Sequence, residues 1–164
     1  MKKLLAVSLV LFAVGSGKNE TTGPSPEEKP FSPGGDEAEA IKKAVLVAQK
    51  AGWGRHDFKT YMTQWADKSQ YVYGREERPG KHDIVCERNQ IEATRRLLMH
   101  GKPLADRKIV FDNVQVKVQG DEAELRLRVT WSFGEDYQMA GEVYRLRKSP
   151  EGWKVSLNRA WPLK

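Results

Sequence analysis

Residues 107–162 decide the fold, and they read RKIVFDNVQVKVQGDEAELRLRVTWSFGEDYQMAGEVYRLRKSPEGWKVSLNRAWP. Apolar and polar side chains alternate along this stretch, which is the pattern of strands that bury one face. Turn-forming residues at 119–121, 134–136 and 150–152 divide it into segments of strand length. Strands joined by such short turns pair in antiparallel fashion, because a parallel neighbour needs a long crossover. The stretch therefore predicts an antiparallel sheet.

The clearest alternation lies in the second of these strands. Its core-facing positions are all apolar, while arginine and hydroxyl side chains occupy the other face; the apolar set is Leu125, Leu127, Val129, Trp131 and Phe133. In the preceding strand the apolar parity changes between Phe111 and Val114, which predicts a bulge near Asp112. Gly141 interrupts the third strand and suggests a second bulge there.

The chain before residue 103 has helical spacing in three places. Asp36 and Glu39 suggest a capping box for a first helix that ends at Gly52, and Asp57 is a second start signal. Four large side chains follow Asp57 at helical spacing on one face, namely Phe58, Tyr61, Met62 and Trp65. Short strands at about 69–73 and 82–86 precede a third helix at about 89–100. Helices followed by a run of strands indicate an α+β domain with two or three N-terminal helices packed on one face of the sheet.

The N-terminal segment has the features of a secretory signal. Met1-Lys2-Lys3 is followed by a run of 11 apolar and small residues from Leu4 to Val14, and then by small residues at the cleavage positions. We therefore expect a signal peptide at 1–17, a flexible Pro/Gly-rich tether at 18–35 and one folded domain at 36–164. The mature protein is expected to be secreted or periplasmic, with no transmembrane anchor after signal cleavage. Cys86 is the only cysteine, so no internal disulfide can form.

The charge pattern argues against a nucleic-acid partner. The formal net charge of +6 is modest, and basic residues are interleaved with acidic ones along most of the chain. The densest basic cluster runs from Arg95 to Lys108, where a solvated helix end accounts for it well.

No catalytic motif can be recognised in the sequence. The histidines lack the spacing of zinc ligands and no phosphate-binding loop matches, so we expect neither a metal nor a cofactor. The aromatic residues either fill the core or line a cavity between helices and sheet. If there is a cavity, His82 with Asp83 is the candidate acid/base pair, with Tyr73 as a third catalytic candidate. The candidate pocket residues are Tyr61, Trp65, Tyr73, Arg75, Val129, Trp131 and Trp161.

Three segments carry a resemblance to a known superfamily. They are Phe58 to Asp67 with the following Tyr71-Val72-Tyr73-Gly74, the helix Gln90 to Leu98, and the closing strand Gly152-Trp153-Lys154-Val155. With them the chain resembles the nuclear transport factor 2-like superfamily, which includes SnoaL-type cyclases and steroid isomerases, over about Asp36 to Lys164. The resemblance implies a cystatin-like, cone-like curved sheet that encloses a pocket, often in a homodimer joined through the sheets. The carboxylate, tyrosine and protonated carboxyl of the steroid isomerases have no counterpart motif in this sequence.

Two functions remain open on the sequence. The first is an exported non-catalytic domain that binds a small apolar ligand or a protein partner. The alternative is a pocket enzyme that performs acid/base chemistry of the isomerase, cyclase or dehydratase type on a small hydrophobic substrate.

Overall fold

A computed structural model describes residues 35–100, 107–133 and 135–163. The predicted signal peptide and nearly all of the predicted tether lie outside these residues. Three helices and a six-stranded sheet with the order β2-β1-β6-β5-β4-β3 make up the domain. The elements are α1 (Asp36–Gln49), a π-helical turn (Lys50–Gly54), α2 (Phe58–Met62), β1 (Trp65–Tyr73), β2 (Ile84–Glu87), α3 (Arg88–Leu98), β3 (Arg107–Gln119), β4 (Glu122–Phe133), β5 (Asp136–Ser149) and β6 (Gly152–Pro162).

The first helix differs from the prediction at both of its ends. Gly35 is the N-cap and no side chain caps the helix, so the capping box expected for Asp36 and Glu39 was wrong. Both carboxylates lie in the first turn instead, where the helix dipole favours negative charge. The helix does not stop at Gly52 but continues as the π-helical turn to Gly54. Position 52 still requires glycine, because a Cβ atom at Gly52 would lie 2.5 Å from the ring of Tyr61.

The second helix begins as predicted and is shorter than expected. The Asp57 side chain accepts a hydrogen bond from the Thr60 backbone N–H at 3.0 Å, which confirms the predicted N-cap. The helix ends at Met62, and Trp65 is the first residue of β1 rather than a helical residue. A five-residue helix is marginal, and backbone pairing with β6 captures the chain directly after it, since Val155 donates to the Gln64 carbonyl at 2.7 Å.

The sheet is mixed rather than wholly antiparallel. Strands β3 to β6 form the predicted antiparallel meander, and β1 pairs with β2 in the same way. However, β1 runs parallel to β6, with Tyr71 opposite Asn158. Short turns dictate antiparallel pairing only for strands that are neighbours along the chain, and β1 and β6 are far apart in it. The predicted α+β arrangement with N-terminal helices on one face of the sheet is confirmed.

One of the two predicted bulges is present. The pairing of β3 with β4 shifts between Asp112 and Gln115, and Asn113 adopts a φ of 52° there. Gly141 stays in register, so the bulge expected at that residue was wrong. Glycine is required at position 141 because of packing: a Cβ atom at Gly141 would lie 2.3 Å from the indole ring of Trp161. The register shift between β5 and β6 comes later, between Arg145 and Leu146.

Candidate functional site

The helix-covered face of the sheet carries polar groups in addition to the apolar core. Residues directly opposite each other in neighbouring strands share a face, so the register defines rows of side chains across the sheet. One row contains Leu127, Glu142, Ala160 and Tyr73, and the next contains Leu125, Tyr144, Asn158 and Tyr71. Since Leu125 and Leu127 belong to the core, Glu142, Tyr144 and Asn158 also point into the space between sheet and helices.

Glu142 is a buried carboxyl group with unusual acid/base properties. Its residue is only 6% exposed, and its carboxylate accepts a hydrogen bond from the Tyr144 hydroxyl. Burial raises the pKa of Glu142 to about 7, while the hydrogen bond from Tyr144 and the charge of Arg95 act in the opposite direction. Glu142 can therefore gain and lose a proton near neutral pH.

Arg95 places a positive charge beside these groups. It lies on α3 between the buried Ile91 and Met99, one helical turn from each. Its guanidinium carbon is 4.7 Å from the ring centroid of Trp53 and 4.9 Å from that of Tyr71. Burial alone would lower the pKa of Arg95, but the phenol groups of Tyr61 and Tyr71 raise it above its ordinary value. The cation is thus held by aromatic rings and phenol groups.

The tyrosines of this cluster stay protonated at physiological pH. Burial raises the pKa of Tyr71 above its ordinary value, and burial with the charge of Glu142 does the same for Tyr144. Trp53 extends the aromatic wall, because its ring meets Trp131 edge to face at a centroid distance of 6.4 Å. We call Arg95, Glu142, Tyr144, Tyr71 and Trp53 the Arg95 cluster.

Four of the predicted pocket residues pack in or against the core on the helix-covered side of the sheet, where the Arg95 cluster lies. Tyr61, Trp65 and Val129 are buried, and Trp131 is partly buried against the core. The Tyr61 and Trp65 rings are 6.2 Å apart. Trp161 lies elsewhere, on the opposite face of the sheet over Gly141.

The three catalytic candidates are not brought together. Tyr73 lies in the row of Glu142 at the margin of the helix-covered face and is 37% exposed. Asp83 belongs to the loop between β1 and β2 and is bound by Arg159, at 2.7 Å, on the opposite face of the sheet. Hydrogen bonds from Arg159 and from the Gly80 backbone hold the pKa of Asp83 below its ordinary value. His82 and Arg75 are exposed in the same loop.

Neither a metal centre nor a membrane span is found in the described residues. No group of three or more histidine, cysteine, aspartate or glutamate residues there could hold a metal ion. None of the helices in those residues is both long and apolar enough to cross a bilayer. An open groove of about 710 Å³ borders the start of α3, and its lining mixes both signs of charge, with Asp67, Lys68 and Arg88 among its residues.

Sequence reasoning missed Arg95 and Glu142 as site residues, although each leaves a signal. Ile91, Arg95 and Met99 recur at a spacing of four, so Arg95 interrupts the buried stripe of α3. Glu142 has the same strand parity as Tyr144 and Ala140, so it occupies a core-facing position of β5. The uniformly apolar face predicted for β4 is correct for Leu125 to Val129, but the neighbouring strand adds the carboxyl group.

Solved structures with the same fold were found, whereas no family model and no curated protein sequence matches this chain. A nuclear transport factor 2-like protein of unknown function from Pseudomonas aeruginosa is 17% identical, with a TM-score of 0.62 over 76% of this chain and 99% of its own. A candidate dehydratase of that family from Streptomyces avermitilis is 22% identical, with a TM-score of 0.55 over 77% and 98%. The CaMKII hub of S. rosetta is 17% identical, with a TM-score of 0.61 over 80% and 100%. The chain therefore has the nuclear transport factor 2-like fold, as the resemblance predicted.

Proposed function

We propose that this domain is a non-catalytic binding module that takes a small, largely apolar molecule at the Arg95 cluster. The observation that carries the proposal is the convergence of a guanidinium, a carboxyl group and phenol groups within aromatic walls on one face of the sheet. Ligand sites in proteins combine such apolar walls with a few converging polar groups. Trp53, Tyr71, Arg95 and Trp131 each keep part of their surface exposed, so a ligand can reach the cluster from solvent.

Ligand-observed NMR with a library of small aromatic and aliphatic compounds tests this proposal. Trp53→Ala should abolish or strongly weaken the binding of hits, because it removes an aromatic wall of the cluster. Tyr137→Ala is the matched control, since Tyr137 is an aromatic residue that is 66% exposed and lies outside the cluster. Circular dichroism of each variant verifies folding. No hits, or hits that bind both variants like the wild type, would contradict the proposal.

A second candidate function is acid/base catalysis, and the pKa of about 7 at Glu142 favours it. A buried carboxyl that titrates near the working pH can remove a proton from one carbon of a substrate and return it to another, as isomerases do. Incubation of the NMR hits in D₂O distinguishes the two functions. Loss of carbon-bound proton signals with wild type but not with Glu142→Gln would establish catalysis, whereas unchanged signals support a binding module.

Export and self-association form the remaining parts of the proposal. Export to a secreted or periplasmic location is supported by the basic start and the apolar run at Leu4 to Val14, and intact mass of the extracytoplasmic protein tests it.

Homodimerisation through the sheet is supported by the face opposite the helices, where acidic and basic side chains alternate in pairs such as Arg128 with Asp112 and Arg147 with Glu122. Such a face can be complementary to a second copy of itself about a twofold axis. Native mass spectrometry measures the subunit count.

A further inference from the structure

We infer that the ligand of this domain is a small monoanionic organic acid, whose carboxylate is bound by the Arg95 guanidinium and whose apolar body lies against Trp53 and Tyr71. The inference rests on the proposed binding function and adds the chemical class of the ligand and the residue that selects it.

Among the described residues, Arg95 has no carboxylate within ion-pair distance, unlike the other arginines of α3 and those of β4 to β6. On the same helix, Arg88 and Arg96 both pair with Glu92. Each arginine of β4 to β6 in the described residues also has an acidic partner within 4.0 Å; these are Arg126, Arg128, Arg145, Arg147 and Arg159. In the described part of the chain, Arg95 has no such ion pair, and Glu142 acts on it only through its electric field.

Arg159 shows how this chain satisfies an enclosed arginine. Its guanidinium donates to the backbone carbonyls of three loop residues and to both carboxylate oxygens of Asp83, at distances from 2.6 to 3.2 Å. A guanidinium has five N–H donors, and all of its nitrogens are engaged here. The two guanidinium groups therefore have different surroundings. Hydrogen-bond acceptors contact every nitrogen of Arg159, whereas aromatic rings surround Arg95.

The aromatic contacts of Arg95 leave hydrogen-bond donors unused. A cation–π contact engages the charge of the guanidinium with a ring face and takes up no N–H group. The phenol oxygens of Tyr61 and Tyr71 are the acceptors beside Arg95, and two oxygens cannot occupy five donors. A carboxylate accepts two parallel N–H bonds from one guanidinium, so it fits the remaining donors in number and geometry.

The charges around the site favour a monoanion over a dianion. Arg95 supplies one positive charge, and Glu142 opposes a second negative charge on the ligand. The other titratable groups at Arg95 are the phenols of Tyr61 and Tyr71 and the thiol of Cys86, whose pKa is raised by burial. None of these adds a second cation to bind a phosphate dianion. The flanking indole and phenol rings provide an apolar surface for the body of the acid.

Matched probes test the inference on the wild-type protein. Phenylacetate and its neutral analogue phenylacetamide have nearly the same shape, and inorganic phosphate supplies a dianion without an apolar body. We expect phenylacetate to bind about 10- to 100-fold more tightly than phenylacetamide in calorimetric or NMR titrations, because only the acid forms a charge-assisted pair. Phosphate should bind more weakly than phenylacetate.

Two variants locate the effect on one side chain. Arg95→Met keeps much of the length of the side chain and should remove the preference for the acid, leaving the two probes nearly equal. Arg96→Met is the matched control on the next residue of α3, where the arginine is exposed and paired with Glu92, and it should keep the full preference. If Arg95→Met does not fold, Arg95→Lys is the second variant: it retains the charge but loses the paired donors, so the preference for the acid should be reduced, and an unchanged preference would contradict the inference.

The outcomes separate the inference from the function on which it rests. Equal binding of acid and amide to the wild type, with both lost in Trp53→Ala, would overturn the inference and keep the binding function. A preference for the acid that survives Arg95→Met would also overturn it. Absence of any binding that responds to Trp53→Ala would contradict the binding function itself.

Discussion

Glu142 and Arg95 are charged side chains at positions where the local pattern calls for apolar ones. Transfer of an isolated charge into a protein interior is so costly that a carboxyl group there shifts its pKa and becomes neutral instead. Glu142 follows this rule, since burial outweighs the hydrogen bond from Tyr144 and the field of Arg95. The chain therefore keeps a group that weakens the fold whenever it is ionised.

The pH dependence of unfolding should reveal this cost. The folded-state pKa of Glu142 is about 7 against an ordinary value of 4.5, so the folded state binds more protons than the unfolded state between these values. Stability therefore falls as pH rises from about 4.5, and the loss is complete above about 7, with a size on the order of 3 kcal/mol. Glu142→Gln, which cannot ionise, should remove this loss.

Urea unfolding midpoints at pH 5, 6, 7 and 8 provide the measurement. The difference between Glu142→Gln and wild type should grow in favour of the variant as pH rises. Glu122→Gln is the control, because Glu122 is an exposed carboxyl paired with Arg147 on the surface of the sheet, and its difference from wild type should stay flat. A flat difference for Glu142→Gln as well would refute the assigned pKa shift.

Residue patterns predicted the buried face of β4 correctly and missed the chemistry next to it. Leu125, Leu127 and Val129 alternate so regularly that burial follows from periodicity alone. The position of Glu142 depends on which face of β5 is covered, and Gly141 obscures the parity of that strand. Helical spacing places Arg95 on the buried stripe of α3, but its contacts with Trp53 and Tyr71 involve other elements and cannot be read from that spacing.

Among the connecting elements, the loop between β1 and β2 has an unusual anchor. Residues 74–83 contain little regular structure and pass over the face of the sheet opposite the helices, where Arg159 of β6 binds their carbonyls and Asp83. Glu77 of the loop also pairs with Arg126 of β4. The hydrogen bonds from the buried Arg159 side chain therefore hold a loop that has few backbone hydrogen bonds of its own.

Arg159→Leu should free this loop and destabilise the domain. Removal of the guanidinium leaves the Asp83 carboxylate and three backbone carbonyls of the loop without their donor, which we expect to cost about 1 to 3 kcal/mol. The loop contains Arg75, Arg78 and Lys81, so limited trypsin digestion reports its release directly. We expect rapid cleavage within 75–81 in the variant and slow cleavage in wild type.

The matched control for the loop is Arg147→Leu on β5. Arg147 forms an exposed ion pair with Glu122, and loss of such a pair changes stability by less than about 1 kcal/mol. Its trypsin pattern should resemble that of wild type. Equal cleavage of the loop in wild type and Arg159→Leu would show that Arg159 does not restrain it.

The architecture of the whole domain was predictable except for one pairing. Periodicity and turn residues predicted the order of helices and strands, the antiparallel meander and the bulge near Asp112. The parallel contact of β1 with β6 did not follow, because periodicity describes a strand and not its distant partner. The same contact explains why Trp65 belongs to a strand, since its partner Val155 lies in the last strand of the sheet.

A chain that ends at Ser149 should fail to fold. Its loss of β6 removes the strand that joins β1 and β2 to β3, β4 and β5, and it deletes the core residue Val155. Near-ultraviolet circular dichroism and urea titration should show neither fixed aromatic packing nor a cooperative transition. A chain that begins at Gly35 and keeps β6 is the control and should retain both. Cooperative unfolding of the shortened chain would contradict this view of the sheet.

The central place of β6 also determines the order of events during synthesis. A ribosome completes β1 long before it makes β6, and until then one edge of β1 and one edge of β5 stay open, because only β6 joins them. Domains can begin to fold while they are made only if the necessary contacts are already outside the ribosome. For this protein the contacts that unite the sheet depend on β6, so the nascent domain remains incompletely folded until β6 has left the ribosome.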